Sequence, residues 1–140
     1  MTLFGDFIAG NPLGFIAVVS NQTISAQAKN AIESSAEALG YGSEACVYIT
    51  LNPTEASAPL DTQARFVLME GLDPVCIIVL DSDAATQLGL TYRKTLRTDA
   101  VSTVFGRPTL VFTNFEGNLE TPEKKQRAWA LLKQLPRHER

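Results

Sequence analysis

Residues 75–80 read Val-Cys-Ile-Ile-Val-Leu and form the most hydrophobic run in the chain. A strand with one face in water alternates apolar and polar residues, but this run contains no polar position. An unbroken apolar run of this length is typical of a parallel strand that is covered on both faces. The run therefore predicts the centre of a parallel sheet.

Two apolar runs earlier in the chain, at residues 14–20 (GFIAVVS) and 45–51 (ACVYITL), also predict strands. Between them, apolar residues recur at helical spacing over residues 24–39, after Thr23 and Ser25, either of which can cap a helix. The first half of the chain is therefore predicted as strand, helix, strand.

The second half continues this alternation of helices and strands. The predicted elements are a helix at residues 61–71, the strand at 75–80, a helix capped by Ser82 or Asp81 that ends at Gly89, a basic loop at 91–99, strands at 101–105 and 109–112 around the turn Gly106-Arg107-Pro108, and a helix capped by Thr121 with Pro122 in its first position. Alternating strands and helices joined by short loops predict right-handed crossovers and a mainly parallel sheet. We expect one α/β domain over residues 1–140, a three-layer α/β/α sandwich.

Composition restricts the class of protein. The net charge is −3 and the pI is about 5.1, so the overall field repels polyanions and nucleic acid is an unlikely partner. No apolar run reaches the roughly 20 residues that cross a bilayer, and residues 1–11 lack the pattern of a secretory signal. The sequence predicts a cytoplasmic protein with no membrane partner. No phosphate-binding glycine loop follows a predicted strand, and no cofactor is expected.

The two cysteines, Cys46 and Cys76, both lie inside predicted strands and are expected to be buried, inert thiols. A disulfide between them would require the two strands to be neighbours. The one histidine, His138, lies in a charged tail, so the sequence predicts no metal site.

Several short segments occur in a particular order. They are Val47-Tyr48-Ile49-Thr50, Leu72-Asp73-Pro74, the strand at 75–80, Ala84-Ala85, Leu88-Gly89, the basic residues between Arg93 and Arg97, Gly106-Arg107-Pro108, Pro122-Glu123-Lys124-Lys125 and Trp129. In this order and spacing, over about half of the chain, they resemble the uracil-DNA glycosylase superfamily close to its family 4. The resemblance implies a glycosylase-like α/β sandwich.

The residues that carry the chemistry of that family are replaced in this chain. The family's water-binding loop would fall at Ser20-Asn21-Gln22, its base-reading asparagine at Leu51, its His-Pro-Ser loop at Asn114-Phe115-Glu116, and a phosphate-binding arginine at Glu120. Neither cysteine matches a cluster-binding position of the family. A glycosylase must flip a base out of the duplex, read its edge and stabilise a cationic sugar. With all four positions changed, we expect no catalytic residues.

Ligands of open parallel sheets bind beyond the carboxyl ends of the strands. Four polar residues follow predicted strands and would form the floor of such a site, and three basic residues would form its rim. The floor residues are Asn21, Asn52, Asp81 and Asn114, and the rim residues are Arg93, Lys94 and Arg97. The alternative is that the floor residues are ordinary turn and cap residues and that the basic loop is simply solvated.

Three functions follow from this reading. The first is a non-catalytic glycosylase-like domain that binds a nucleotide-like small molecule or a protein partner. The second is a divergent DNA glycosylase that acts on nucleic acid through the basic loop. The third is a structural or assembly protein without a ligand.

Overall fold

The computed structural model describes residues 7–42, 44–52 and 60–136, which form a mixed α/β fold. His138 therefore lies outside the described residues. The strands are β1 (Ile8–Gly10), β2 (Ile16–Ser20), β3 (Cys46–Thr50), β4 (Cys76–Val79), β5 (Ala100–Val104) and β6 (Arg107–Val111). The helices are α1 (Ala26–Ala38), α2 (Thr62–Leu72), α3 (Ser82–Tyr92) and α4 (Pro122–Leu132), with a short 3-10 helix at Gly117–Leu119.

The six strands form one sheet in the order β1-β3-β2-β4-β6-β5. The predicted strands at 14–20 and 75–80 contain β2 and β4, which lie side by side at its centre, and this prediction is confirmed. Pairing is parallel among β3, β2, β4 and β6, whereas β1 and β5 pair antiparallel at the two edges. The sheet is therefore mixed. The short edge strand β1 was not predicted, because three residues are too few to show an alternation.

Two hydrophobic clusters cover the central strands, one on each face. The side chains of β2 point alternately into the two clusters. Ile16 and Val18 belong to the first cluster, and Ala17 and Val19 belong to the second. Helices α1 and α4 contribute buried side chains to the first cluster, and α2 and α3 contribute to the second. This double burial explains why β2 and β4 are apolar at almost every position.

The cysteines are too far apart for a disulfide. Cys46 of β3 and Cys76 of β4 both lie beside Ile16 of the intervening strand β2, on opposite sides. Two strand spacings separate their Cα atoms by roughly 9.6 Å, beyond the roughly 7 Å that a disulfide can span. Both thiols are free and buried, as predicted.

Helix α3 extends beyond its predicted end. It begins at Ser82 with Asp81, one of its two predicted caps, as the N-cap, and it continues past Gly89 to Tyr92, ending where Arg93 adopts a left-handed conformation with φ 55°. Gly89 adopts helical backbone and lies three residues before the end of α3. A glycine is needed there because an added Cβ would lie 2.6 Å from the carbonyl oxygen of Lys94.

The hairpin turn also lies earlier than predicted. Phe105 and Gly106 are the two turn residues, both with positive φ, as a tight type I′ turn requires. Pro108 lies within β6 instead of in the turn. Pairing of β6 with β4 begins only at Thr109, so the missing N–H of Pro108 removes no hydrogen bond to β4.

Helix α4 has the predicted boundary, with Thr121 accepting a hydrogen bond from the Lys124 amide and Pro122 in the first helical position. Helix α1 uses Ser25, one of the two predicted caps. Within the described ranges, no helix has both the length and the apolar character needed to cross a membrane.

Candidate functional site

A polar cleft of about 600 Å³ lies at the carboxyl ends of β2 and β4, beside the start of α1 and the loop that follows β6. We call it the edge cleft. Its lining consists of hydroxyl, carboxamide and carboxylate side chains around one leucine. The lining residues are Ser20, Asn21, Gln22, Thr23, Ser25, Leu80, Asp81, Asp83, Asn114 and Glu116.

Asp81 joins three of the segments around the edge cleft. One carboxylate oxygen accepts from the Ala84 amide at 2.7 Å and so caps α3, and the other accepts from the Asn21 amide at 2.9 Å. The backbone of Asp81 also forms an antiparallel bridge with Asn114. The negative carboxylate is favourable at this position because the helix N-terminus carries partial positive charge.

Three carboxamides meet beside Asp81. The Asn21 Oδ1 atom accepts hydrogen bonds from Asn52 Nδ2 at 2.6 Å and from Gln87 Nε2 at 2.8 Å. These bonds hold the half-buried Asn21 side chain in one orientation. Asn52 and Gln87 support the wall of the edge cleft without lining it.

Gln87 was missed in the sequence. It lies four residues after Asp83 and therefore on the same face of α3, since residues at this spacing are neighbours on a helix. That spacing was the available signal. The expected site residues are those that directly follow strands, whereas Gln87 lies within a helix.

Glu116 closes the far side of the edge cleft by binding Ser25, the N-cap of α1. Its carboxylate accepts from the Ser25 amide at 2.9 Å and from the Ser25 hydroxyl at 2.6 Å. Two residues earlier, Asn114 accepts from the Gly117 amide at 3.1 Å through its side chain. Both side chains therefore have local structural partners as well as a position in the cleft wall.

Two residues that the predicted resemblance would place at positions of glycosylase chemistry are buried. Leu51 is 2% exposed and packs in the cluster on the α2 and α3 side, and Phe115 is 1% exposed and packs in the cluster on the α1 and α4 side. Neither side chain lines the edge cleft.

The edge cleft is acidic. Asp81, Asp83 and Glu116 contribute carboxylates, and among the residues that the structure describes no lysine or arginine lines the cleft. An anionic group would therefore be repelled from it. In the part of the chain that the structure describes, no group of three or more histidine, cysteine, aspartate or glutamate residues is arranged to hold a metal ion.

The predicted basic rim lies elsewhere. Arg93 and Lys94 line a second cleft along α3, and Arg97 lines neither cleft. Asp81 and Arg93 cap opposite ends of the 11-residue helix α3, which is about 16.5 Å long at 1.5 Å per residue. The structure thus brings Asn21, Asn52, Asp81 and Asn114 together at the sheet edge, and it places the basic residues away from them. Ligand binding by either group stays a prediction.

Comparison with protein-family models and with curated proteins finds no match for this chain. The likeness to the uracil-DNA glycosylases therefore rests on the order of the short segments in its own sequence.

Proposed function

We propose that the protein is a non-catalytic domain of the uracil-DNA glycosylase type that binds an uncharged, nucleoside-like ligand in the edge cleft. In this proposal the fold is a three-layer α/β/α sandwich built on a mainly parallel sheet. The burial of α1 and α4 in one cluster and of α2 and α3 in the other supports it. In this proposal the protein is cytoplasmic, as its sequence predicts.

The polar lining of the edge cleft carries this proposal. The volume of about 600 Å³ lies within the range of roughly 300–1,000 Å³ that small-molecule sites occupy. Carboxamides and hydroxyls both donate and accept, so they can match the hydrogen-bonding edge of a base or the hydroxyls of a sugar. The site lies where ligands of parallel sheets bind.

The charge of the edge cleft selects against a phosphate. A nucleotide would bring its anion close to Asp81, Asp83 and Glu116, with no basic side chain in the lining to compensate. A free nucleoside avoids this repulsion. We therefore expect uridine to bind more tightly than uridine monophosphate.

The residues that stand at the family's functional positions support a domain without catalysis. Leu51 cannot read a base because its side chain has no polar atom and is buried. Glu116 lies in the segment that replaces the family's His-Pro-Ser loop, and both of its carboxylate oxygens accept from Ser25.

Titration of the ¹⁵N-labelled protein with uridine, followed by NMR, tests this function. We expect shifts of the amides at residues 20–25, 81–83 and 114–116. Asn114→Ala should weaken binding, because Asn114 lines the cleft, is exposed and makes only a local contact. The matched control is Asn30→Ala, an exposed position on α1 outside the cleft.

Equal affinity for uridine in the two variants, or shifts confined to other residues, would contradict the proposed function. Tighter binding of uridine monophosphate than of uridine would contradict the charge argument.

A further inference from the structure

A second cleft, of about 510 Å³, lies between α3 and the segment at residues 93–98. We call it the α3 cleft. It shares no lining residue with the edge cleft. The lining residues are Ser82, Ala85, Thr86, Gly89, Leu90, Arg93, Lys94, Thr95, Leu96 and Thr98.

Backbone contacts hold the two walls of the α3 cleft together. The left-handed Arg93 reverses the chain, and the Lys94 amide then donates to the Gly89 carbonyl at 2.9 Å. The Lys94 carbonyl lies so close to Gly89 that no side chain would fit between them. The Lys94 ammonium donates to the Thr103 carbonyl of β5. The wall that carries Arg93 and Lys94 is thus attached to both α3 and the sheet.

The α3 cleft has the opposite charge from the edge cleft. Arg93 and Lys94 are its only charged lining residues, and neither forms an ion pair with any residue that the structure describes. An exposed arginine offers a planar group of donors that matches phosphate oxygens, and the lysine adds a second positive charge.

Hydroxyl and apolar side chains complete the lining. Four hydroxyls border the cleft, from Ser82, Thr86, Thr95 and Thr98. Leu90 is 62% exposed, and the half-buried Leu96 lies in the same lining. An exposed leucine in a cleft whose charged groups are basic suits a ligand with an anionic end and an apolar body.

We propose that the α3 cleft binds a small organic phosphate, with its phosphoryl group on Arg93 and Lys94 and its apolar part on Leu90 and Leu96. This site is separate from the edge cleft and does not depend on the proposed function. A small molecule fits better than a nucleic acid, because two unpaired cations in one cleft must act against a net charge of −3.

Phenyl phosphate is the probe, since it combines one phosphoryl group with one apolar ring, and phenol is the comparison without phosphate. NMR titration of the full chain should show shifts at residues 82–98 with phenyl phosphate and much weaker shifts with phenol. Binding should weaken as salt is raised, because the contact is electrostatic.

The test variant is Arg93→Gln with Lys94→Gln, and it should weaken phenyl phosphate binding by about tenfold or more. The control, Lys125→Gln with Arg127→Gln on exposed α4, removes the same charge from positions outside the α3 cleft. Arg93→Gln alone is a second test variant, because it leaves the contact between Lys94 and Thr103 intact and should fold normally.

The proposal is overturned if phenol and phenyl phosphate bind equally, if the shifts fall at residues 20–25 and 114–116, or if the control weakens binding as much as the test variants. Tighter binding of a single-stranded oligothymidylate than of phenyl phosphate would overturn the assignment to a small ligand. The proposal is supported if the test variants lose phenyl phosphate binding and the control variant keeps it.

Discussion

Arg107, at the start of β6, joins the sheet to the end of α2. Its guanidinium donates to the Glu70 carboxylate at 2.8 Å, to Asp73 at 2.8 Å and to the Pro74 carbonyl at 3.0 Å. The Arg107 side chain is 12% exposed and that of Glu70 is 29% exposed, so this pair is shielded from water more than a surface pair. Tyr92 of α3 also donates to Glu70, at 2.6 Å.

The hydrogen bond from Arg107 holds the pKa of Glu70 below its ordinary value of 4.5. Because the folded-state pKa is depressed, the charged Glu70 stabilises the fold above pH 4.5, and this stabilisation is lost as the pH falls through the depressed pKa. We expect Glu70→Gln to lower the free energy of unfolding at pH 7 by about 1–2 kcal/mol. Urea unfolding of the two proteins measures this difference in the free energy of unfolding.

The difference in the free energy of unfolding between the wild type and Glu70→Gln should decrease as the pH is lowered. Glu120→Gln is the control, because Glu120 is 70% exposed and lies 3.8 Å from Lys124, an ordinary surface pair. Two results would show that the Arg107 contact does not act through the charge of Glu70. One is a difference in the free energy of unfolding that stays constant with pH, and the other is an equal loss of stability in Glu120→Gln.

The cysteines provide a second prediction for single residues. Burial raises the pKa of Cys46 to about 12 and that of Cys76 to about 11, so neither forms a thiolate at neutral pH. We expect both to resist a thiol reagent in the native protein and to react at once in denaturant. Rapid modification of either thiol without denaturant, or stoichiometric bound metal, would contradict their assignment as inert core residues.

At the scale of elements, the contact between α3 and the segment that follows it depends on one glycine. Gly89→Ala would place a Cβ atom 2.6 Å from the Lys94 carbonyl oxygen, and backbone cannot move aside as a flexible side chain can. We expect the free energy of unfolding, measured in urea, to fall by about 1–3 kcal/mol. The α3 cleft should also be distorted, which would weaken phenyl phosphate binding.

Gly71→Ala is the matched control, because Gly71 lies near the end of α2 and an added Cβ would meet nothing within 4 Å. Alanine has the higher helix propensity, so this variant should gain up to about 1 kcal/mol. If Gly89→Ala is as stable as Gly71→Ala, the close packing of the loop on α3 is incorrect.

At the scale of the whole molecule, charge and burial both oppose glycosylase activity. The net charge of −3 repels DNA, and the edge cleft adds three carboxylates at the end of the sheet where ligands of parallel sheets bind. We expect no release of uracil from single-stranded or mismatched DNA in a standard excision assay. Uracil released above the level without enzyme, and lost on changing Asn52 or Asn114 to alanine, would show that the replaced positions still support catalysis.

Local patterns in the sequence were enough to predict most elements. The apolar runs predicted β2 and β4 as central strands because burial on both faces excludes polar residues from them. Thr121 and Pro122 predicted the start of α4, since capping depends on residues within one helical turn. Errors arose at Gly89 and at Pro108, two residues that usually end an element. Gly89 lies inside α3, where the carbonyl of Lys94 packs against it. Pro108 lies in β6 before the pairing with β4 begins, so its missing N–H removes no hydrogen bond to β4.

The sequence by itself determined the alternation of strands and helices and the burial of both cysteines, because each depends on nearby residues. The antiparallel pairing of β5 with β6 follows from the tight turn between them. Tertiary structure alone decided that β1 pairs antiparallel with β3 at the other edge, since that direction depends on how the chain returns to the sheet. It also decided which polar residues meet. Asn21, Asn52 and Gln87 come together across 66 residues of chain, whereas Arg93 is carried away from Asp81 by the length of α3. Spacing along a sequence does not encode such distances, because they depend on the order of strands and the direction of the helix between them.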